Sequence, residues 1–151
     1  MWFLAATGAR VSELIKIKVE HIRLEYFDIY SKGGKLRRIY LPRKLIYAIK
    51  VWLKQEGKNS GYIFTNKLSQ PISTRAISQQ LKKIAHNLGI NQNVVYPHSF
   101  RHLFAKNFLE KFNDVSLLAD LMGHESIETT RIYLRRTSSE QKQIVDEVID
   151  W

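Results

Sequence analysis

The sequence predicts a mainly α-helical domain with one small antiparallel β-sheet, an α+β fold. Three observations carry that prediction. Apolar residues recur at helical spacing in separated stretches, as in Leu45, Ile46, Ile49, Trp52 and Leu53, and again in Ile77, Leu81, Ile84, Ala85 and Leu88. One region alternates instead: Phe27 and Ile29 among Tyr26, Asp28 and Tyr30, then Ile39 and Leu41 among Arg38 and Tyr40. Between those runs sits Ser31-Lys32-Gly33-Gly34-Lys35, where Gly-Gly tolerates the positive φ of a tight hairpin turn.

Taken in order, Met1–Ala6 reads as helix and Thr7-Gly8 breaks it. The chain starts apolar with no cap, as the middle of a helix would, so a fragment of a longer protein is expected. Arg10–Lys18 reads as a second helix, with Val11, Leu14, Ile15 and Lys18 on one face. His21–Leu24 is a candidate third strand beside the hairpin. Pro42 suits the first turn of the next helix, and Gly57 ends it. Gly61–Thr65 is a short apolar connection. Ser73 caps a helix that Gly89 closes. Pro97 precedes a helix carrying Phe100, Phe104, Phe108 and Leu109. Asp114 caps a short helix ending at Gly123, and Ser126 caps one running through Tyr133 to about residue 135. Thr137 and Glu140 have capping-box spacing and open a last helix with Ile144, Val145, Val148 and Ile149. There is no repeat and no obvious linker, so residues 1–151 read as a single domain.

Composition narrows the function. A chain of 151 residues with 44% hydrophobic content can bury one core. It has no cysteine, which excludes disulfides and thiolate zinc sites and fits a reducing compartment. No apolar run approaches the ~18 residues of a membrane span, and the start lacks the basic region and cleavage site of a signal peptide. The net charge of +10 is uneven. Residues 32–58 balance at +8, with Glu56 as their one acid, whereas the last fifteen residues balance at −3. A basic block on a globular domain suits a polyanion, nucleic acid above all, or is simply a solvated face.

Polar groups break the core-and-surface pattern at Thr7-Gly8-Ala9-Arg10, at Tyr96-Pro97-His98-Ser99-Phe100-Arg101-His102, and at Leu121–Leu134. His98 and His102 are four apart, as zinc ligands on a helix are. The metalloprotease pattern needs Glu after the first histidine, and Ser99 stands there, so no metal site is expected. Taken together the groups suit phosphate chemistry. Arginines offer planar donor forks to non-bridging oxygens, histidines donate or move protons near neutral pH, and a tyrosine becomes a nucleophile when cations help it. Cations then do the electrostatic work of a metal.

With those residues in view, the chain resembles the catalytic domain of the tyrosine recombinases, the phage integrases and Xer-type enzymes. The family's first motif is similar to TGARVSEL (residues 7–14), placing its arginine at Arg10. The hairpin lysine matches Lys32 in SKGGKLRRIYLP, PHSFRHLFA supplies His98 and Arg101, and LMGHESIETTRIY supplies His124 and Tyr133. The four motifs stand in the family's order. Ala9 replaces a usual leucine, Asn113 stands where glycine is common, and Leu103 where a small polar residue is frequent. The family's N-terminal core-binding domain has no counterpart in these residues.

The resemblance implies the tyrosine recombinase catalytic fold and site-specific DNA recombination or integration without cofactor or metal. Tyr133 would attack the scissile phosphate and form a 3′-phosphotyrosine. Arg10, Arg101 and His124 would hold that phosphate, His98 would handle the tyrosine proton, and Lys32 would protonate the leaving 5′ oxygen. Spacing alone permits Lys35 as well as Lys32. Lys35, Arg37 and Arg75 are expected at the DNA backbone, an ordinary exposed helix residue being the alternative for Arg75. Glu13 is expected to orient Arg10. The implied partners are double-stranded DNA and further copies of the chain, a tetrameric synapse in the full-length protein, with the C-terminal helix docking on a neighbour or on its own domain. The implied location is the cytoplasm of a prokaryote, at the nucleoid. The competing readings are relaxation of DNA by a type IB topoisomerase-like enzyme and a DNA-binding module without chemistry.

Overall fold

The computed structural model describes residues 1–30, 36–124, 126, 128–134 and 138–148. Helix α1 (Trp2–Thr7) stops at Gly8, whose φ of +62° turns the chain. Thr7 Oγ1 seals the turn, donating to the Phe3 carbonyl at 2.8 Å and accepting from the Ala9 N–H at 3.2 Å. A Cβ at Gly8 would sit 2.5 Å from the Phe104 ring, so glycine also lets α1 lie close against α6 (Pro97–Phe112).

The expected helix Arg10–Lys18 is shorter, α2 spanning Val11–Leu14. Tight bonds from the Lys16 and Ile17 N–H groups to the Glu13 and Leu14 carbonyls close it, and the chain then extends so that Ile17, 0% exposed, enters the core. Lys18 forms an isolated bridge with Tyr62, so the Gly61–Thr65 connection is tied to this extension. His21–Leu24 is not a third strand. It lies in α3 (Val19–Leu24), because Val19 and Ile22 share a buried helical face and His21 Nδ1 accepts from the Lys18 N–H at 3.0 Å, capping the start.

The hairpin forms as expected. Strands β1 (Tyr26–Tyr30) and β2 (Leu36–Tyr40) pair antiparallel, Tyr26 opposite Tyr40 and Tyr30 opposite Leu36. Phe27 and Ile39 face each other in the core, and outside them Arg38 reaches Asp28 at 2.8 Å while lying 3.8 Å from the centre of the Tyr26 ring. The Gly33-Gly34 turn falls outside the described residues.

Helix α4 (Arg43–Gln55) follows Pro42 and buries Leu45, Ile46 and Leu53, while Trp52 stays partly exposed. Helix α5 (Thr74–Asn87) is capped by Ser73 Oγ, which accepts from the Ala76 N–H. It buries Ile77, Leu81 and Ala85, whereas Leu88 stands in solvent. Pro97 is the first residue of α6, and α6 ends at Asn113 with φ +46°, a left-handed conformation that asparagine accepts. Asp114 Oδ1 accepts from the Leu117 N–H and caps α7 (Val115–Met122). Beyond Gly123, the helix expected through Tyr133 is α8 (Glu128–Arg131), which tightens into a 3₁₀ turn over Ile132–Leu134. Helix α9 (Ser138–Val148) is the last described element; Thr137 of the expected capping box lies outside the described residues, as do Ile149 and Trp151.

Two apolar clusters result. The larger joins α1 to α5 with the sheet around Leu4, Ile17, Ile22, Phe27, Ile39 and Ile63. The smaller holds Ala105, Leu109, Leu118 and Met122, with Phe104, Phe108 and Tyr133 packed on it.

Candidate active site

The Thr7-Gly8 turn, the start of α6 and the end of α7 meet around one buried guanidinium. Arg101 is 2% exposed. Its Nη1 donates to the Gly8 carbonyl and its Nη2 to the Met122 carbonyl at 2.6 Å. A glycine in the left-handed region aims its carbonyl inward here, and the C-terminus of a helix presents unpaired carbonyls. Arg101 therefore ties α1 and α7 to α6 while remaining a cation. Burial, with Arg10 and Arg37 nearby, pushes its pKa down to about 10, so it stays charged at neutral pH.

Glu13 organises the other two arginines. Its Oε2 accepts from the Arg10 N–H at 2.6 Å, closing the start of α2. Its Oε1 accepts from Arg10 Nη1 at 3.0 Å and from Arg37 Nη1 at 2.7 Å. Arg10 Nη2 then reaches the Gly123 carbonyl at 3.1 Å, with the side chain still 44% exposed. The expectation that Glu13 orients Arg10 matches this geometry.

Arg37, expected at the DNA backbone, lies elsewhere. It is 7% exposed. Its Nε and Nη2 both donate to the Leu121 carbonyl, at 2.9 and 2.7 Å, and Nη1 goes to Glu13. Its donors face protein acceptors, so it braces β2 against the end of α7. Gly123 accommodates it: φ is +61°, and a Cβ there would overlap Arg37 Cδ. Arg75 is exposed at the start of α5 and takes no part in this cluster. Lys32 and Lys35 lie outside the described residues.

Next to Gly123, His124 Nδ1 lies 2.8 Å from Thr130 Oγ1. Burial first, then Arg101, Arg10, Arg37 and His98, push His124 down to about 4, so its ring is neutral at physiological pH. Tyr133 packs its ring against His102, 5.2 Å between centroids, and His102 in turn lies 4.6 Å from His98. Burial raises the Tyr133 phenol above its usual value, and Arg101 opposes that shift. Partial burial lowers His98, helped by His102, Arg101 and Arg10, so it too favours its neutral, proton-accepting form.

The site thus brings together Arg10, His98, Arg101, His124 and Tyr133 from α1–α2, α6, α7 and the turn after α8. Sequence reasoning gave no role to His102 beyond a dismissed metal pair, and none to Thr130. The four-residue offset from His98 was a usable signal for His102, because both project from one face of α6. Among the described residues, no three His, Cys, Asp or Glu side chains gather as a metal site would need. None of the described helices is long and apolar enough to cross a membrane.

The phage integrase family matches residues 1–140. Tyrosine recombinase XerA of Pyrococcus furiosus is 36% identical over 149 residues, covering 95% of this chain and 51% of that protein. Tyrosine recombinase XerC of Escherichia coli is 34% identical over 131 residues, covering 83% of this chain and 44% of that one. The chain spans about half the length of the curated relatives it matches. In fold it is similar to XerA recombinase, with a TM-score of 0.77 at 24% identity over 98% of this chain and 56% of that one. It is also similar to the catalytic domain of bacteriophage HP1 integrase, with a TM-score of 0.63 at 20% identity over 95% and 77% of the two chains. XerH, solved in complex with its difH substrate, superposes with a TM-score of 0.75 at 23% identity over 99% of this chain and 45% of that one. A mainly helical fold with a two-stranded sheet among the described residues, the four motifs in order and the family match to residues 1–140 give one conclusion: the chain belongs to the phage integrase family, the tyrosine recombinases.

Proposed function

We propose that this chain cleaves and rejoins double-stranded DNA at specific sites through a covalent 3′-phosphotyrosine, as the catalytic part of a site-specific recombinase. The carrying observation is a charge imbalance beside a tyrosine. Among the described residues, Glu13 is the one carboxylate paired with Arg10 and Arg37, and Arg101 forms no ion pair, feeling Glu13 only at a distance. A buried cation without a counter-ion is costly. A phosphate seated between Arg10 and Arg101 supplies the missing charge, within reach of the field that already acts on Tyr133.

In this reading the Tyr133 Oη–P bond forms as the P–O5′ bond breaks. The phenol stays protonated until attack, so a base is needed, and neutral His98 receives that proton. Lys32 gives a proton to the departing 5′ oxygen, and Arg10, Arg101 and His124 stabilise the charge on the non-bridging oxygens. Attack by a partner's 5′-hydroxyl reverses the step and exchanges strands. Bond energy is conserved in the protein–DNA link, so no nucleotide cofactor is required. The exposed Arg75 and the lysines of the basic block are placed in this reading along the DNA backbone, where phosphate contacts dominate affinity.

Assembly on DNA belongs to the same reading. Helix α9 leaves Val145 and Val148 more than half exposed, an apolar stripe suited to a neighbouring copy. Removing residues 137–151 should reduce oligomer size on DNA; unchanged assembly would return α9 to its own domain.

A nicked duplex that traps covalent intermediates tests the chemistry. The wild-type chain, fused to a core-binding domain, should give a protein–DNA band. Tyr133→Phe should lose it while keeping salt-sensitive binding. No adduct on any trap substrate would sink the proposal, and relaxation without exchange in a two-site assay would reduce it to a topoisomerase-like activity.

A further inference from the structure

The contact between His124 and Thr130 carries information that neither residue carries alone. Thr130 is 0% exposed, and His124 Nδ1, at 2.8 Å, is the one hydrogen-bond partner of its hydroxyl among the described residues. A neutral imidazole has a single N–H, on one nitrogen or the other, and the partner of one nitrogen decides which. Two arrangements are available. If Nδ1 held the proton and donated to Oγ1, the threonine's own proton would be buried without an acceptor among the described residues, which is costly. The other ring nitrogen would then carry a lone pair and could accept a hydrogen bond but not donate one. If Thr130 donates to Nδ1, both groups are satisfied and Nε2 carries the hydrogen.

We propose that Thr130 is a positioning residue that fixes His124 as its Nε2–H tautomer, so that the ring is a hydrogen-bond donor toward an oxyanion held by Arg10 and Arg101. The tautomer follows from the buried pair itself. Its use on a phosphate rests on the function proposed above. The arrangement gives the site a neutral donor next to its guanidiniums: a protonated ring there would meet three cations, whereas an Nε2–H ring adds a donor without adding charge. It also gives α8 a task. Thr130 and Tyr133 lie three residues apart on α8 and the turn that extends it, so the segment that carries the nucleophile also sets the proton on the histidine opposite.

Nitrogen chemical shifts decide the matter without any turnover. In the chain labelled with ¹⁵N-histidine at pH 7.5, long-range proton–nitrogen correlations should show His124 with a protonated Nε2 and a bare Nδ1, its signals assigned by their loss in His124→Gln. Thr130→Val should convert His124 to a tautomer mixture, and Thr130→Ser should keep the wild-type pattern. A wild-type spectrum with Nδ1 protonated overturns the proposal, even if Thr130→Val fails to fold. So does a folded Thr130→Val with an unchanged spectrum.

On the nicked duplex, Thr130→Val should form adduct about 10-fold more slowly with DNA binding unchanged, milder than the ~10²–10³ loss from deleting an oxyanion donor. Thr130→Ser should recover the rate. Equal rates for Val and Thr would overturn the positioning role. A wild-type chain that shows the expected tautomer yet never forms an adduct would sink the recombinase reading and leave the tautomer assignment standing.

Discussion

Glu13 Oε1 and Arg37 Nη1 pair at 2.7 Å with both side chains less than a tenth exposed. The two residues come from different layers, α2 and β2, and their pairing clamps the hairpin to the segment that bears Arg10. Removing one partner from a buried pair leaves an uncompensated charge, which costs about 3–5 kcal/mol. Glu13 keeps Arg10 as a partner, so Arg37→Ala should lower the unfolding free energy measured in urea by up to that amount and orphan the Leu121 carbonyl. Arg75→Ala, on an exposed helix position, should move stability by no more than ~0.5 kcal/mol and instead weaken DNA binding in a salt-dependent way. Similar stability losses for both would mean that Arg37 is no brace.

Gly123 and Gly89 separate two costs of a side chain. Both have positive φ, +61° and +67°, but a Cβ meets nothing within 4 Å at Gly89 and overlaps Arg37 Cδ at Gly123. Gly89→Ala should cost the left-handed penalty alone, ~1–2 kcal/mol. Gly123→Ala should cost clearly more in the same denaturation assay and should also slow adduct formation, because Arg10 hangs on the Gly123 carbonyl and His124 follows it. Equal destabilisation at the two positions would show that Arg37 moves aside freely.

Stability should fall as the solution is acidified. His124 has its pKa depressed from an ordinary 6.5 to about 4 in the folded protein. Between those values the unfolded chain binds a proton that the folded chain refuses, so the contribution is intact above about pH 6.5 and is lost progressively down to about pH 4. His98 shifts in the same direction. Thermal melts of wild type and His124→Gln at pH 7.5 and pH 5 provide the measurement. The wild type should lose more on acidification than the variant, and parallel losses would contradict the cause assigned here.

An oxyanion alone should stabilise the fold. Sulfate, compared with chloride at matched ionic strength, should raise the melting temperature, because it binds the folded state and not the unfolded one. Arg10→Ala should remove most of that gain, since Arg10 is more open than Arg101, the other arginine proposed to hold the phosphate. A gain of equal size in the variant would trace it to sulfate's general exclusion from protein surfaces or to another site, and not to Arg10.

Much of the local architecture is legible from neighbouring residues. Ser73 and Asp114 announce helix starts because their side-chain oxygens reach N–H groups three residues on. Gly8 and Asn113 announce helix ends because the left-handed conformation suits them. The hairpin shows in its period of two. The same reasoning misplaces His21–Leu24, a short apolar run that fits a strand until Val19 and Ile22 are seen on one buried face. It also runs the α2 helix on through Lys18, because nothing local says that Ile17 is wanted in the core.

The site divides in the same way. By itself the sequence determined the motif residues, their order, the basic character and the family, since these depend on side-chain identity at fixed spacing. Tertiary structure alone decided what each arginine does. Arg37 reaches a carbonyl 84 residues away, Arg101 one 93 residues away and Arg10 one 113 residues away. An arginine has the same spacing and charge whether its fork meets solvent, a phosphate or a backbone carbonyl. Only the packing of α6 and α7 against α1 and β2 determines which acceptors it finds, and so leaves Arg37 as a brace and Arg101 as a buried cation with no ion-pair partner among the described residues.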